Sequence, residues 1–289
     1  MEAHAHGLLI TYFTYSEIYT FWILFYIIKI NLHASLSMRL IPIKSDLFKD
    51  RFDLFNTIID NIVKNGQDII DDDILVISSK FVAMSQGSVI NLDDIIPSKD
   101  AEELASKYSL NAKIAEIVIR ESDAIIGGIE GFLLAVKDGV IAPNAGVDKS
   151  NIMDGYIITH PKEPFNVAKE LRIKFKDRYG INVGVVITDS RLMPSRKGTI
   201  GIAIGVSGFK PVIDLRGKKD LFGNNLRVTM HAIADSIATA ANLLMGESDE
   251  SIPIVIVRDL KVEWSDEDFT WKDLAIDYDK CIYVRGLRG

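Results

Sequence analysis

The chain reads as an α+β protein, a mixed sheet with flanking helices in one compact unit that leaves room for two lobes. Three observations predict this. Helical and strand-like patterns follow one another from Met38 onward without settling into a regular βαβ alternation. Several apolar runs are rich in β-branched residues, among them "DILVISSKFVAM", "INVGVVITDS" and "IPIVIVRDL". No repeat, low-complexity segment or linker divides the chain.

Taken in order, "DLFNTIIDNIVKN" spaces its apolar residues as a helix does, and "DILVISSKFVAM" is a β-rich run after the turn "DDD". "DAEELASKYS" and "NAKIAEIVIRES" are helices, the second amphipathic. "GFLLAVKDGVIAPNAG" is a hairpin of two apolar strands turning at Asp138-Gly139. "EPFNVAKELRIKFKDRYG" is a helix that stops at Gly180. Then come the buried strand "INVGVVITDS" and the glycine-spaced strand "GTIGIAIGVSG". A long small-residue helix, "LRVTMHAIADSIATAANLLMG", precedes the last buried strand, "IPIVIVRDL".

Residues 1–37 stand apart. "LLITYFTYSEIYTFWILFYIIKI" approaches the roughly 20 residues of a membrane span, but Glu17 interrupts it and Ile18 to Ile28 alone is short. No basic region precedes it and no small-residue cleavage site follows, which argues against a signal peptide. It is read as a hydrophobic extension, either from a mis-assigned start, or as an anchor, or as a packed helix. Residues 38–289 are read as one domain, with a cytoplasmic location unless the extension inserts in a membrane.

Composition narrows the function. With 33 basic and 40 acidic side chains the net charge is -7, the wrong sign for a protein that tracks a nucleic-acid backbone. The single cysteine, Cys281, excludes an intrachain disulfide and a cysteine-rich zinc site. The five histidines are scattered, so any metal would be held by oxygen. No G-x-S-x-G elbow and no histidine near Cys281 point to a protein nucleophile.

Three acids fall where elements end. Asp148 lies in "IAPNAGVDKSN", just past an apolar strand; Asp189 ends "VGVVITD", with Ser190 after it; Glu247 follows the long helix. Acids so placed can converge on one crevice and hold Mg²⁺ or Mn²⁺, substrate phosphates completing the shell. They equally suit caps and solvated turns. In "SRKGTIGIAIGVSG", Arg196 and Lys197 beside Gly198 could meet a phosphate, although the same glycine spacing marks a close-packed strand. Arg216, Lys218 and Lys219 in "LRGKKDLFGNN" could bind an anionic substrate or coat a loop. No G-x-x-x-x-G-K-[ST] motif is present, so a nucleotide site here is not of the P-loop kind.

The blocks "ISSKFVAMSQG", "IRESDAII", "PNAGVDKSN", "GVVITDSRLMPSRKGTIGIAIGVSG", "LRGKKDLFGNNLRVT" and "IADSIATAANLLMGESDESIPIVIVR" resemble, in order and spacing, the coenzyme F-420: L-glutamate ligases of the archaeal single-domain type. The similarity runs from about Met38 to about Leu260. It implies an α+β homodimer that joins L-glutamate to coenzyme F-420-0 with GTP, through an acyl phosphate, and so forms a γ-glutamyl tail. It also implies two divalent ions, Mg²⁺ or Mn²⁺, with K⁺ assisting.

Carried onto this chain, the resemblance makes Asp148 and Asp189 ligands of one ion, and Ser190 and Glu247 ligands of the other. Ser79, Lys80 and Asn151 would contact GTP, and the loop Met245, Gly246, Glu247, Ser248, Asp249, Glu250, Ser251, Ile252 would wrap it. The chain departs from the family's pattern at Met84, where lysine is usual, and at Ser195, where bulkier residues are common. The family's early Leu-Pro turn has no match in "IPIKSDLFKDRF". A related ligase for another carboxylate, or a GTP-binding module without transfer, remain the alternatives.

Overall fold

A computed structural model describes residues 38–138, 140–277 and 280–288, so the expectations for residues 1–37 lie outside it. From the amino end, β1 (Arg39–Ile43) leads to α1 (Leu54–Lys64), whose first turn is capped by Asp53 accepting from the Asn56 N–H at 2.8 Å. β2 (Ile74–Ser78) passes directly into α2 (Ser79–Gln86). After β3 (Val89–Asn91) come α3 (Lys99–Tyr108) and α4 (Ala112–Glu121), capped by Ser98 and Asn111. β4 (Ala124–Ile129), β5 (Phe132–Lys137), β6 (Val140–Pro143) and β7 (Tyr156–Ile158) precede α5 (Pro164–Tyr179). The rest comprises β8 (Gly184–Leu192), β9 (Thr199–Ser207), β10 (Val212–Asp214), β11 (Met230–Ala232), α6 (Ile233–Met245), β12 (Ile254–Arg258), α7 (Trp271–Leu274) and α8 (Ile282–Arg288).

The β-branched runs assemble a mixed five-stranded sheet in the order β1-β12-β2-β8-β9. Only β2 and β8 run parallel within it, in the register Ile74↔Gly184 to Ser78↔Thr188. Period-two alternation sends Leu75, Ile77, Val185, Ile187, Ile254 and Ile256 to one face, against Phe55 and Ile58 of α1, Val82 of α2, and Leu171 and Phe175 of α5. Ile74, Val76, Val186, Val255 and Val257 go to the other, against Ala234, Ile237, Ala238 and Ala241 of α6. Covered on both faces, these strands read as unbroken apolar runs rather than alternating ones. Each such side chain contributes about 1.5–3 kcal/mol by leaving water.

A separate core lies between α3, α4 and the three-stranded sheet β4-β5-β6, around Ala101, Ala115, Val118, Leu133 and Ala135. The hairpin read at Asp138 is present, with Lys137 pairing Val140.

Gly201 and Gly205 of "GTIGIAIGVSG" serve packing. A Cβ at Gly201 would lie 2.4 Å from the Ala238 carbonyl of α6, and one at Gly205 would lie 2.6 Å from the Pro164 carbonyl of α5. The strand therefore lets two helix backbones come close at Gly201 and Gly205, while Gly198, at a φ of 86°, has open space around it.

Two sequence expectations need correction. "DILVISSKFVAM" is not one β-rich run: the strand ends at Ser78 and residues 79–86 are helical. On the β12 side pairing stops at Ile254 opposite Ile77, so a longer strand would leave backbone groups unpaired there, whereas a helix satisfies them internally. The long helix starts at Ile233 rather than near Leu226. Backbone bonds from Leu226 N–H to the Lys218 carbonyl, at 2.8 Å, and from Leu215 N–H to the Thr229 carbonyl, at 3.1 Å, draw residues 226–232 into a ribbon with residues 212–218. Among the described residues, no helix is long and apolar enough to cross a membrane.

Candidate functional site

The site is built at the carboxyl end of the parallel pair, the place where open α/β sheets offer a crevice to ligands. Because Ser78 is level with Thr188, the next residues of the two strands meet: the Ser79 hydroxyl donates to Asp189 Oδ1 at 2.8 Å. His160, two residues past β7, places Nε2 3.0 Å from Asp189 Oδ2, and Arg191 Nη2 is 3.3 Å from the same oxygen. Burial pushes the Asp189 carboxyl up, but His160, Arg191 and the Ser79 hydroxyl outweigh it and hold the group far below the usual carboxylate range. Asp189 is therefore ionised at any working pH.

The stretch "IAPNAGVDKSN" is a turn with a fixed carboxylate. β6 runs into a single 3₁₀ turn, Asn144–Gly146, and Asp148 pairs its backbone with Ile158 through bonds of 2.9 and 2.8 Å. Asp148 Oδ1 accepts from the Ser150 N–H at 2.8 Å, and Oδ2 accepts from the Ser150 hydroxyl at 2.7 Å and from Lys80 Nζ at 2.8 Å. Partial burial pushes this carboxyl up, while Lys80 and Ser150 outweigh it and leave it below its ordinary value. Lys80 Nζ also donates to the Ser150 carbonyl at 2.8 Å.

On the opposite face of β8, the Ser190 hydroxyl donates to Glu247 Oε2 at 3.1 Å, and Asn242 Nδ2 holds Oε1 at 2.9 Å. Met245 closes α6, Gly246 follows it, and Glu250 turns back to accept from the Ser248 N–H at 2.8 Å. Asp249 is exposed, Ser251 donates to the Ser45 carbonyl at 2.8 Å, and Ile252 packs on the α6 side of the core. Asn151 Nδ2 reaches across to the Ser248 carbonyl at 2.7 Å.

These oxygens suit a hard divalent ion. An ionised carboxylate has about four lone-pair positions. Three of those on Asp189 and three on Asp148 are taken by the donors named above, which leaves Oδ1 of each able to accept once more. Neighbouring ligands of an octahedral Mg²⁺ stand about 3 Å apart, and the Ser190–Glu247 contact has that separation. The carboxyl end of α6, just before Glu247, adds a partial negative charge, and the amino end of α2, at Ser79 and Lys80, a partial positive one. Ser78 makes no side-chain capping bond to α2, and a helix amino end of this kind favours an anion.

Each of the three acids is held by a different partner, Asp148 by Lys80, Asp189 by Ser79 and Glu247 by Ser190. Among the described residues no three His, Cys, Asp or Glu side chains group as a metal cluster. Strand alternation is the reason: Asp189 and Ser190 face opposite sides of β8, and Lys80 and His160 stand against the two aspartates. The arrangement is instead a set of pairs, Ser79–Asp189, Lys80–Asp148, Ser190–Glu247 and Asn151–Ser248, each joining segments remote in sequence.

Arg196 and Lys197 are exposed in the turn after β8. Arg216 has its fork on Asp214, at 2.6 Å from Nη2 to Oδ2, and draws that carboxyl down to about 2. Lys218 and Lys219 are exposed on the same ribbon. Sequence reasoning missed His160 and Arg191. The signal for Arg191 was its spacing of two from Asp189, which puts both on one face of a strand; His160 closes the apolar run "YIITH".

Fold and site together define a mixed-sheet α+β protein whose hard oxygen donors gather beside the amino end of a short helix. The chain belongs to the F420-0:gamma-glutamyl ligase family, whose model matches residues 42–259. It is 44% identical over 193 residues to the coenzyme F420:L-glutamate ligase of Methanocaldococcus jannaschii, a match covering 66% of this chain and 77% of that protein. The protein of the same name from Methanopyrus kandleri is 38% identical over 203 residues, covering 70% of this chain and 81% of the relative. That of Methanothermobacter thermautotrophicus is 35% identical over 207 residues, 71% of this chain and 82% of the relative.

Proposed function

We propose that this chain ligates L-glutamate to coenzyme F-420-0 with GTP, forming the γ-glutamyl tail of coenzyme F-420. The observation that carries the reading is the overlap of family and site. The match over residues 42–259 contains all four segments that meet at the strand ends. GTP phosphates lie at the amino end of α2, beside Lys80. Asn151 and the loop Met245–Ile252, already tied to each other, enclose the nucleotide.

Asp148 and Asp189 would hold one Mg²⁺ or Mn²⁺, Ser190 and Glu247 a second. When bound, these ions screen the triphosphate and polarise the transferred phosphoryl group, with K⁺ assisting. The chain's residues position and neutralise; none has to form a covalent bond. The acceptor carboxylate attacks the γ-phosphorus, GDP leaves, and an acyl phosphate forms. The glutamate amine then attacks the acyl carbon, loses a proton, and expels phosphate to give the amide. His160 and Arg191 keep Asp189 anionic throughout. The active form is a homodimer.

GTP turnover tests the proposal. Sustained GDP release over many turnovers should require F-420-0, L-glutamate and a divalent ion together. GTP bound without GDP formation under those conditions would favour a binding module. GDP formation with another carboxylate in place of F-420-0 would favour a different acceptor.

A further inference from the structure

Two buried basic side chains reach from the Asp189 carboxylate to the turn that carries Asp148. Arg191, with its side chain 7% exposed, donates through Nη1 to the Ile141 carbonyl at 3.1 Å while Nη2 stands 3.3 Å from Asp189 Oδ2. His160, also 7% exposed at the side chain, stands 3.0 Å from the same Oδ2 and lies over Gly146. A Cβ at Gly146 would sit 2.1 Å from His160 Nε2, and Gly146 has a φ of 75°. Both side chains reach residues 141–146 as well as Asp189, Arg191 by its bond to the Ile141 carbonyl and His160 by its packing over Gly146.

We infer that His160 and Arg191 are positioning residues that clasp the Asp148 turn onto the end of β8, so that the Asp148 and Asp189 oxygens meet a divalent ion as a fixed pair. This rests on the metal reading proposed above. Arg191 supplies a planar fork that spans a carbonyl and a carboxylate at once, a geometry lysine cannot copy. His160 supplies a rigid ring that fills the space over Gly146 and still reaches Asp189. Groups that orient metal ligands in this way affect metal affinity by about 10–100-fold when altered.

The test measures Mn²⁺ binding to the full chain without nucleotide, by the electron paramagnetic resonance signal of free Mn²⁺, alongside thermal melting. Arg191→Lys, which keeps the charge and loses the fork, should weaken Mn²⁺ binding about 10–100-fold. His160→Asn, whose amide stops short of Asp189, should do the same, and His160→Gln, whose amide reaches it, should restore binding. Unchanged affinity in folded Arg191→Lys, or equal affinity in the two His160 variants, would overturn the inference while leaving the metal site standing. Absence of Mn²⁺ binding by the unaltered protein would instead remove the metal reading itself, and the inference with it.

Discussion

The Asn151 side-chain amide donates to the Ser248 carbonyl at 2.7 Å, across a separation of 97 residues. It ties the turn after β6 to the loop after α6, the two segments expected to contact the nucleotide. A single hydrogen bond of this kind is worth about 0.5–1.5 kcal/mol net. Asn151→Ala should therefore raise the KM for GTP roughly 2- to 10-fold, with a smaller change in kcat, as steady-state kinetics would reveal. An unchanged KM would remove Asn151 from the nucleotide site.

Asp148 and Glu247 are assigned different ions, so each should be indispensable. Asp148→Ala and Glu247→Ala should each lower kcat on the order of 100-fold or more, beyond the effect of altering a group behind a ligand. GDP release measures this directly. Near-normal turnover in either variant would exclude that carboxylate from the mechanism.

Close approach of two backbones to β9 makes a stability prediction. In Gly201→Ala the new methyl meets the Ala238 carbonyl at 2.4 Å, and neither helix nor sheet can yield cheaply. The variant should lose about 1–3 kcal/mol, read as a lower urea midpoint at unchanged slope. A midpoint equal to that of the unaltered protein would contradict the packing described.

Asp235 gives a pH prediction. Its Oδ1 accepts from the Ala203 N–H at 2.9 Å, and burial pushes its carboxyl above the ordinary value despite that bond and the charge of Arg191. A raised folded pKa means the native state binds the proton more tightly than the unfolded chain. The carboxyl therefore costs nothing below the unfolded value, becomes destabilising as pH rises toward the folded value, and stays so above it. Asp235→Asn keeps the acceptor without the charge. It should gain stability relative to the unaltered protein as pH increases through the acidic range, in unfolding curves collected from pH 4 to 8. A difference independent of pH would show that Asp235 is not perturbed.

Much of the fold was legible because local and tertiary signals agree. Asp53, Ser98 and Asn111 cap the helices that the apolar periodicity marks, and Gly180 ends α5. The fully buried runs at 74–77, 184–187 and 254–257 could only be sheet core. The misreadings arose where pairing decided the outcome. Ser79–Gln86 coils into a helix because its strand partner stops at Ile254, and residues 226–232 join a ribbon whose other half lies at 212–218. In the site, Asp148 and Glu247 were legible as residues just past a strand and a helix. Asp189 and Ser190, read as a strand end, lie inside β8, which runs on to Leu192, and the contacts of His160 and Arg191 with Asp189 depend on three segments coming together. Arg216 looked available in sequence because its partner Asp214 sits only two residues away and binds it within the same ribbon.

The most direct measurement follows the mass of the deazaflavin product after the full chain is incubated with F-420-0, L-glutamate, GTP, Mn²⁺ and K⁺. The account predicts a gain of one or more glutamyl units, dependent on GTP and lost when the divalent ion is chelated. A product mass that stays at that of F-420-0 while the protein still binds GTP and Mn²⁺ would contradict it.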